Sequence, residues 1–225
     1  KTTTESQNSF LLVLRVMALL YDKKMAVSRK WIVGIDAAGR GPLAGPVTLA
    51  AVACPAAIAR SYFKGIKDSK RLSLSAREGW FKKMKENPKI IHCSASVGSA
   101  TIDRVGIAPA IKGTIGRVLR HKKIKKFGTA NILLDGSLKA PGKYFQKTII
   151  KGDEKIPIIA AASIVAKVSR DRKMKRLARL FPEYAFEIHK GYGTRMHYKM
   201  IKKHGLCDIH RRSYSHQSQA TFTNL

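Results

Sequence analysis

Acidic residues are scarce in this chain: 14 Asp plus Glu stand against 44 Lys plus Arg, a net charge of +30. A surface so lopsided repels basic partners and draws polyanions, so a nucleic acid is the expected partner, held by counterion release whatever its base sequence. Charge alone leaves a ribosome-like basic binding protein open and locates no site. Cysteine is equally sparse. Cys54, Cys93 and Cys207 are an odd number without a C-x-x-C pair, which argues against a disulfide framework or a zinc ribbon and fits a reducing cytoplasm. His204, Cys207 and His210 recur three residues apart, but a fourth ligand is missing and the segment reads as loop, so zinc is set aside.

Long apolar runs are also lacking. The stretch from Phe10 to Leu20 is too short to span a bilayer, is broken by Arg15, and has no small-residue cleavage site after Tyr21, so neither a membrane span nor a signal is expected. The chain begins at Lys1, and Met17 and Met25 lie just upstream of the first convincing strand, so residues 1–28 are read as an N-terminal extension outside the fold. The remaining length suits one domain, 29–215, with a short unpatterned tail, 216–225, and a monomer is expected.

Within that domain, short apolar runs alternate with helical spacing. Trp31 to Asp36 and Val47 to Cys54 read as buried strands, the second stopped by Pro55. A helix is expected from about Ser73 to Glu86, capped by Ser73 or Ser75, and a third strand from Ile90 to Val97. Ile107, Ala110, Ile111, Ile115, Val118 and Leu119 predict one helix from Thr101 to about Lys126, its basic end suiting the negative pole. Asn131 to Asp135 and Lys147 to Ile150 read as further strands, and Pro157 opens a helix reaching about Arg179. No internal repeat appears. Early strands with interleaved and following helices predict an α/β layer fold, helices packed on a central sheet.

In a chain so poor in acids, the positions of three are informative. Asp36 and Asp135 each close an apolar strand, and Asp153 follows one through a glycine. Strand ends gather on one edge of a sheet, where carboxylates repel one another unless a hard divalent cation such as Mg2+ or Mn2+ neutralises them. Two such ions about 4 Å apart can support phosphodiester hydrolysis. Taken singly, each Asp could equally cap a turn or a helix.

Longer words carry more. Gly34-Ile35-Asp36-Ala37-Ala38-Gly39-Arg40-Gly41-Pro42, Asp68-Ser69-Lys70, Leu134-Asp135-Gly136, Lys151-Gly152-Asp153 with Ile159 to Asp171, His189-Lys190-Gly191-Tyr192-Gly193-Thr194 and His210-Arg211-Arg212-Ser213 resemble, in order, the signatures of ribonuclease HII. The likeness runs from about Trp31 to Tyr214. It implies a ribonuclease H-like fold, a central mixed β-sheet flanked by helices with a helical C-terminal part. It also implies an endoribonuclease that cleaves the RNA strand of RNA-DNA hybrids and nicks 5′ to single ribonucleotides in duplex DNA. Asp36, Asp135 and Asp153 then match three of four metal-site acids, for Mn2+ or Mg2+. The loop Gly39, Arg40 and Gly41 would approach the ribose 2′-hydroxyl through its backbone, and Tyr192 matches the tyrosine that reads the RNA-DNA junction. Lys70, Lys167 and Arg170 lie within matched words and become candidate phosphate contacts, whereas the Lys122 to Lys126 run would add diffuse attraction only.

One position departs. Ala37 stands where the signature carries glutamate, and alanine offers no oxygen to a metal. The expectation is an impaired enzyme that binds better than it cuts, because even outer-shell losses cost about 10 to 100-fold. An engineered exchange accounts for Ala37 most simply, a divergent natural copy or a sequencing error being the other readings. The rival function is a non-catalytic RNA-DNA hybrid binding protein.

Overall fold

The computed structural model describes residues 30–127 and 130–215; the expected N-terminal extension and the tail lie outside them. Chain order is β1 (Trp31–Ala38), β2 (Val47–Pro55), α1 (Ala56–Tyr62), α2 (Leu74–Glu86), β3 (Ile91–Val97), α3 (Ser99–Val105) and α4 (Ile107–Arg120). There follow β4 (Asn131–Asp135), β5 (Gln146–Ile149), α5 (Gly152–Lys155), α6 (Pro157–Ala178), α7 (Phe186–His189), α8 (Arg195–His204) and α9 (Arg212–Ser215).

The five strands form one mixed sheet in the order β3-β2-β1-β4-β5. β1 runs antiparallel to β2 and parallel to β4, so the sheet combines a hairpin-like half with a parallel half. Helices cover both faces, which is why the central strands are apolar throughout rather than alternating. On one face Val33, Ile35, Leu49 and Leu134 pack with Ile111, Ile115 and Val118 of α4. On the other, Ile32, Val52 and Leu133 meet Ile158, Ile159, Ala162 and Val165 of α6. Each buried Val, Leu or Ile contributes ~1.5–3 kcal/mol, and every residue from Ile158 to Ala166 is buried. Helix α6 reaches the sheet closely because Gly34 has no side chain: a Cβ there would lie 2.2 Å from the Ile158 carbonyl oxygen. A smaller cluster of Ala44, Met174, Tyr184 and Phe186 ties the C-terminal helices to α6.

The expected mixed sheet, flanking helices and helical C-terminal part are all present. Ser73 caps α2, accepting a hydrogen bond from the Ala76 amide. The single helix expected from Thr101 to Lys126 is instead two, because Gly106 at φ 80° closes α3 onto the Ile102 carbonyl and starts α4 in a new direction. Pro55 was expected to stop the second strand; it does, but it also stands at the N-terminus of the short α1.

Candidate active site

Parallel pairing of β1 with β4 in the register Ile35 to Leu134 brings the strand-end acids Asp36 and Asp135 side by side. Asp153 arrives from α5, whose start bends back so that the amides of Gly152 and Asp153 donate to Asp135 Oδ1 at 2.7 and 3.4 Å. One oxygen of each carboxylate lies within 4.8 Å of the others, and among the described residues this is the cluster with the make-up of a metal site. At about 5 Å and an effective dielectric of about 20, each like-charged pair costs ~3 kcal/mol. Burial, then the charge of Asp135, pushes the Asp36 carboxyl up to about 8, against a partial offset from the Ala37 amide. Asp135 is raised as well, by burial and then by Asp153.

A cation is already drawn in. Lys70 Nζ lies 3.1 Å from Asp153 Oδ2, with its own side chain 78% exposed and the aspartate 6%. Burial alone would lower this amine, but the bond to Asp153 and the charges of Asp153, Asp68 and Asp36 hold it above the ordinary lysine range. Asp68 positions it: its carboxylate accepts from the Lys70 amide at 3.2 Å, and Ser163 of α6 braces the turn through Ser69 at 2.6 Å. Three convergent carboxylates that hold a proton and an ammonium in place of compensating charge fit a hard divalent ion through oxygen donors.

The loop Gly39, Arg40 and Gly41 forms the adjoining wall of a cleft of about 300 Å3 that also contains Asp36, Ala37, Lys70, Asp135, Lys167 and Tyr192. Two buried arginines brace this loop and the backbone that follows it. Arg211 donates to the carbonyls of Gly39 at 2.7 Å, Arg40 at 2.8 Å and Gly45 at 2.9 and 3.1 Å. Arg170 donates to those of Pro46, Ala44 and Lys190 at 2.9, 3.3 and 2.9 Å. Gly39 is required on two counts, a φ of +87° and a Cβ position 1.9 Å from Arg170 Nε. Arg170, expected from sequence to contact phosphate, is fully buried, with Nε and Nη2 on backbone carbonyls and Nη1 without a hydrogen-bond partner among the described residues.

Tyr192 stands at the rim, 42% exposed, with Lys167 Nζ 5.7 Å and Arg170 Cζ 5.6 Å from its ring. Lys167 lines the cleft but is shared with Asp171 at 2.8 Å. The Tyr192 carbonyl accepts from His197 Nδ1 at 2.9 Å, so the loop that carries the tyrosine rests on a buried histidine. Arg211 and His197 were not singled out from sequence. Arg211 lay inside a matched word, but its partners are 166 to 172 positions away, and nothing local marks His197. Ala37 lines the cleft beside Asp36, to which its amide donates at 2.6 Å.

The ribonuclease HII family profile matches residues 33–217. The chain belongs to the ribonuclease HII family. It is 44% identical over 185 residues to ribonuclease HII of Endomicrobium trichonymphae, covering 82% of this chain and 85% of that one. Against the ribonuclease HII of Desulfitobacterium hafniense it is 43% identical over 204 residues, covering 89% and 75%. The Archaeoglobus fulgidus ribonuclease HII solved in complex with PCNA superposes with a TM-score of 0.65 at 25% identity, covering 81% of this chain and 94% of that chain. The fold is thus ribonuclease H-like, and membership makes the chain a hydrolase of the ribonuclease H kind, acting on RNA-containing nucleic acid. Among the described residues no helix is long and apolar enough to cross a membrane.

Proposed function

We propose that this chain cleaves the RNA strand of RNA-DNA hybrids and nicks 5′ to single ribonucleotides embedded in duplex DNA, acting as a monomer in the cytoplasm. The observation that carries the reading is one cleft holding both an acidic cluster suited to hydrolysis and a backbone loop suited to a sugar hydroxyl. Divalent ions, Mg2+ or Mn2+, held by Asp36, Asp135 and Asp153 would supply activation of a water and stabilisation of the leaving oxygen. The protein's own part is placement. Arg211 engages the carbonyls of Gly39 and Arg40, which leaves the loop amides to meet a ribose 2′-hydroxyl, the group that separates RNA from DNA. Tyr192 offers a ring to the sugar of the neighbouring nucleotide. Lys70, mostly exposed and tethered only at its tip, is free to swing from Asp153 to a phosphate oxygen when the carboxylate is otherwise neutralised.

Ala37 favours a second reading, a hybrid-binding protein without turnover. The two separate in one assay on a labelled duplex containing a single ribonucleotide, with Mn2+, with Mg2+ and with chelator. Metal-dependent nicking 5′ to the ribonucleotide, lost in Asp135→Asn, supports the enzyme. Tight binding indifferent both to chelator and to Asp135→Asn, with no nicking even after Ala37→Glu, supports the binder.

A further inference from the structure

Helix α6 separates two surfaces. At about 100° per residue, Ser163 and Lys167 lie on the side turned to the catalytic cleft, and Arg172, Lys173, Arg176 and Arg179 on the opposite side. These four form one wall of a second groove of about 560 Å3, with Ser94 and Ser96 of the edge strand β3 across from them. Among the described residues no carboxylate lines this groove. Arg172 is engaged by Glu78 at 2.5 Å outside it, while Arg117 donates to the Ser96 carbonyl and adds charge at the rim. The Lys173 amine is lowered first by burial and further by the neighbouring charges of Arg176 and Arg117.

The groove is near the active site yet distinct from it. The registers Asp36 to Ala50 and Ala50 to Ser94 put Ser94 on the same sheet face as Asp36, two strands away, roughly 10 Å at the usual strand spacing. The basic row from Arg172 to Arg179 runs about 10 Å along α6. That is longer than one phosphate and about the axial rise of three nucleotides of a duplex strand.

We propose that this groove is a second nucleic-acid surface, which holds the phosphate backbone of a duplex segment outside the catalytic cleft without reading base or sugar. Its partner class rests on the ribonuclease reading, but its test does not. Cations set in a row with serine hydroxyls opposite can contact successive phosphates by charge and hydrogen bond, and such contacts position a duplex without conferring sequence preference.

The test measures binding of a 40-base-pair all-DNA duplex in chelator across a salt series, so that neither cleavage nor ribose recognition enters. The variant Lys173→Gln, Arg176→Gln, Arg179→Gln is compared with Lys122→Gln, Lys123→Gln, Lys125→Gln, which removes the same charge from the run expected to be diffuse. The groove variant is expected to lose at least about tenfold in affinity at 100 mM salt, and its log-log salt slope to fall by about 2 to 3. The matched control should lose less than about threefold. Thermal melting confirms that both are folded, and if the triple variant melts early, Arg176→Gln with Arg179→Gln is read instead. Equal losses in the two variants would overturn the proposal, as would loss of binding to anionic lipid vesicles with duplex binding intact. A chain that binds through the groove but never nicks would defeat the catalytic reading and leave this one standing.

Discussion

His197 Nε2 and His210 Nε2 lie 3.0 Å apart in the interior, so one ring must donate to the other. The flanking bonds decide which. His210 Nδ1 accepts from the Cys207 amide at 2.9 Å, so its hydrogen is on Nε2; His197 accepts it and donates from Nδ1 to the Tyr192 carbonyl at 2.9 Å. Both rings are held neutral, and burial, the first cause in each, lowers both to about 4. Since the folded values lie below the ordinary 6.5, the stability they confer is complete above pH 6.5 and lost as pH falls through 4. Melting temperature is expected to drop by on the order of 5–10 °C from pH 7 to pH 5. A His197→Phe, His210→Phe pair should flatten that dependence; an unchanged pH profile in the double variant would show that these rings are not its source.

Asp36 has the opposite sign. Its folded value of about 8 lies above the ordinary 3.8, so in the metal-free protein its contribution is full below pH 3.8 and disappears as pH rises through 8. A divalent ion must displace that proton. Affinity for Mn2+ is therefore expected to rise by about tenfold per pH unit between pH 6 and 8 and then level, with proton release visible by titration calorimetry in buffers of different ionisation enthalpy. Asp36→Asn should stabilise the metal-free protein at pH 8.5 and abolish the thermal gain from Mn2+. Metal affinity independent of pH across that range would mean that Asp36 is not a ligand.

Replacing Ala37 with Glu adds a carboxylate beside Asp36 in the cleft. Cleavage at saturating Mg2+ is expected to rise at least about tenfold, in proportion to losses known for residues that support a metal. No gain in single-turnover rate would place residue 37 outside the metal site.

Arg170 buried against three carbonyls predicts a structural cost with a functional signature. Arg170→Met should destabilise by about 1–3 kcal/mol, since it strands acceptors in the interior. Because the same arginine underlies Gly39, discrimination between a ribonucleotide and a deoxyribonucleotide should weaken more than binding to plain duplex does. Equal binding losses on the two substrates would limit Arg170 to stability alone.

The acids were legible because each stands where an apolar run gives way: Asp135 ends β4, Asp36 lies two residues before the end of β1, Asp153 opens α5 behind Gly152, and the parallel pairing of β1 with β4 does the rest. The break at Gly106 was not, because the apolar spacing on either side continues as though one helix were present, and only the positive φ reveals the turn. Arg170 read as a phosphate contact because it lies within a matched word; that its guanidinium runs inward depends on carbonyls 124 to 126 positions earlier. Lys70 and Asp153 meet across 83 positions, a pairing that resemblance could place in one cleft but local pattern could not.

The row of cations along α6 has another effect, on assembly. β3 is an outer strand of the sheet, and an outer strand with free backbone groups is where sheets of separate molecules join. Any strand approaching Ser94 and Ser96 would have to displace Arg117 from the Ser96 carbonyl and bury the charge of Lys173 and Arg176 without a partner. The same residues that make this side of the protein attractive to a polyanion thus guard its sheet against edge-to-edge aggregation, and a variant neutral there gives up the attraction and the guard at once.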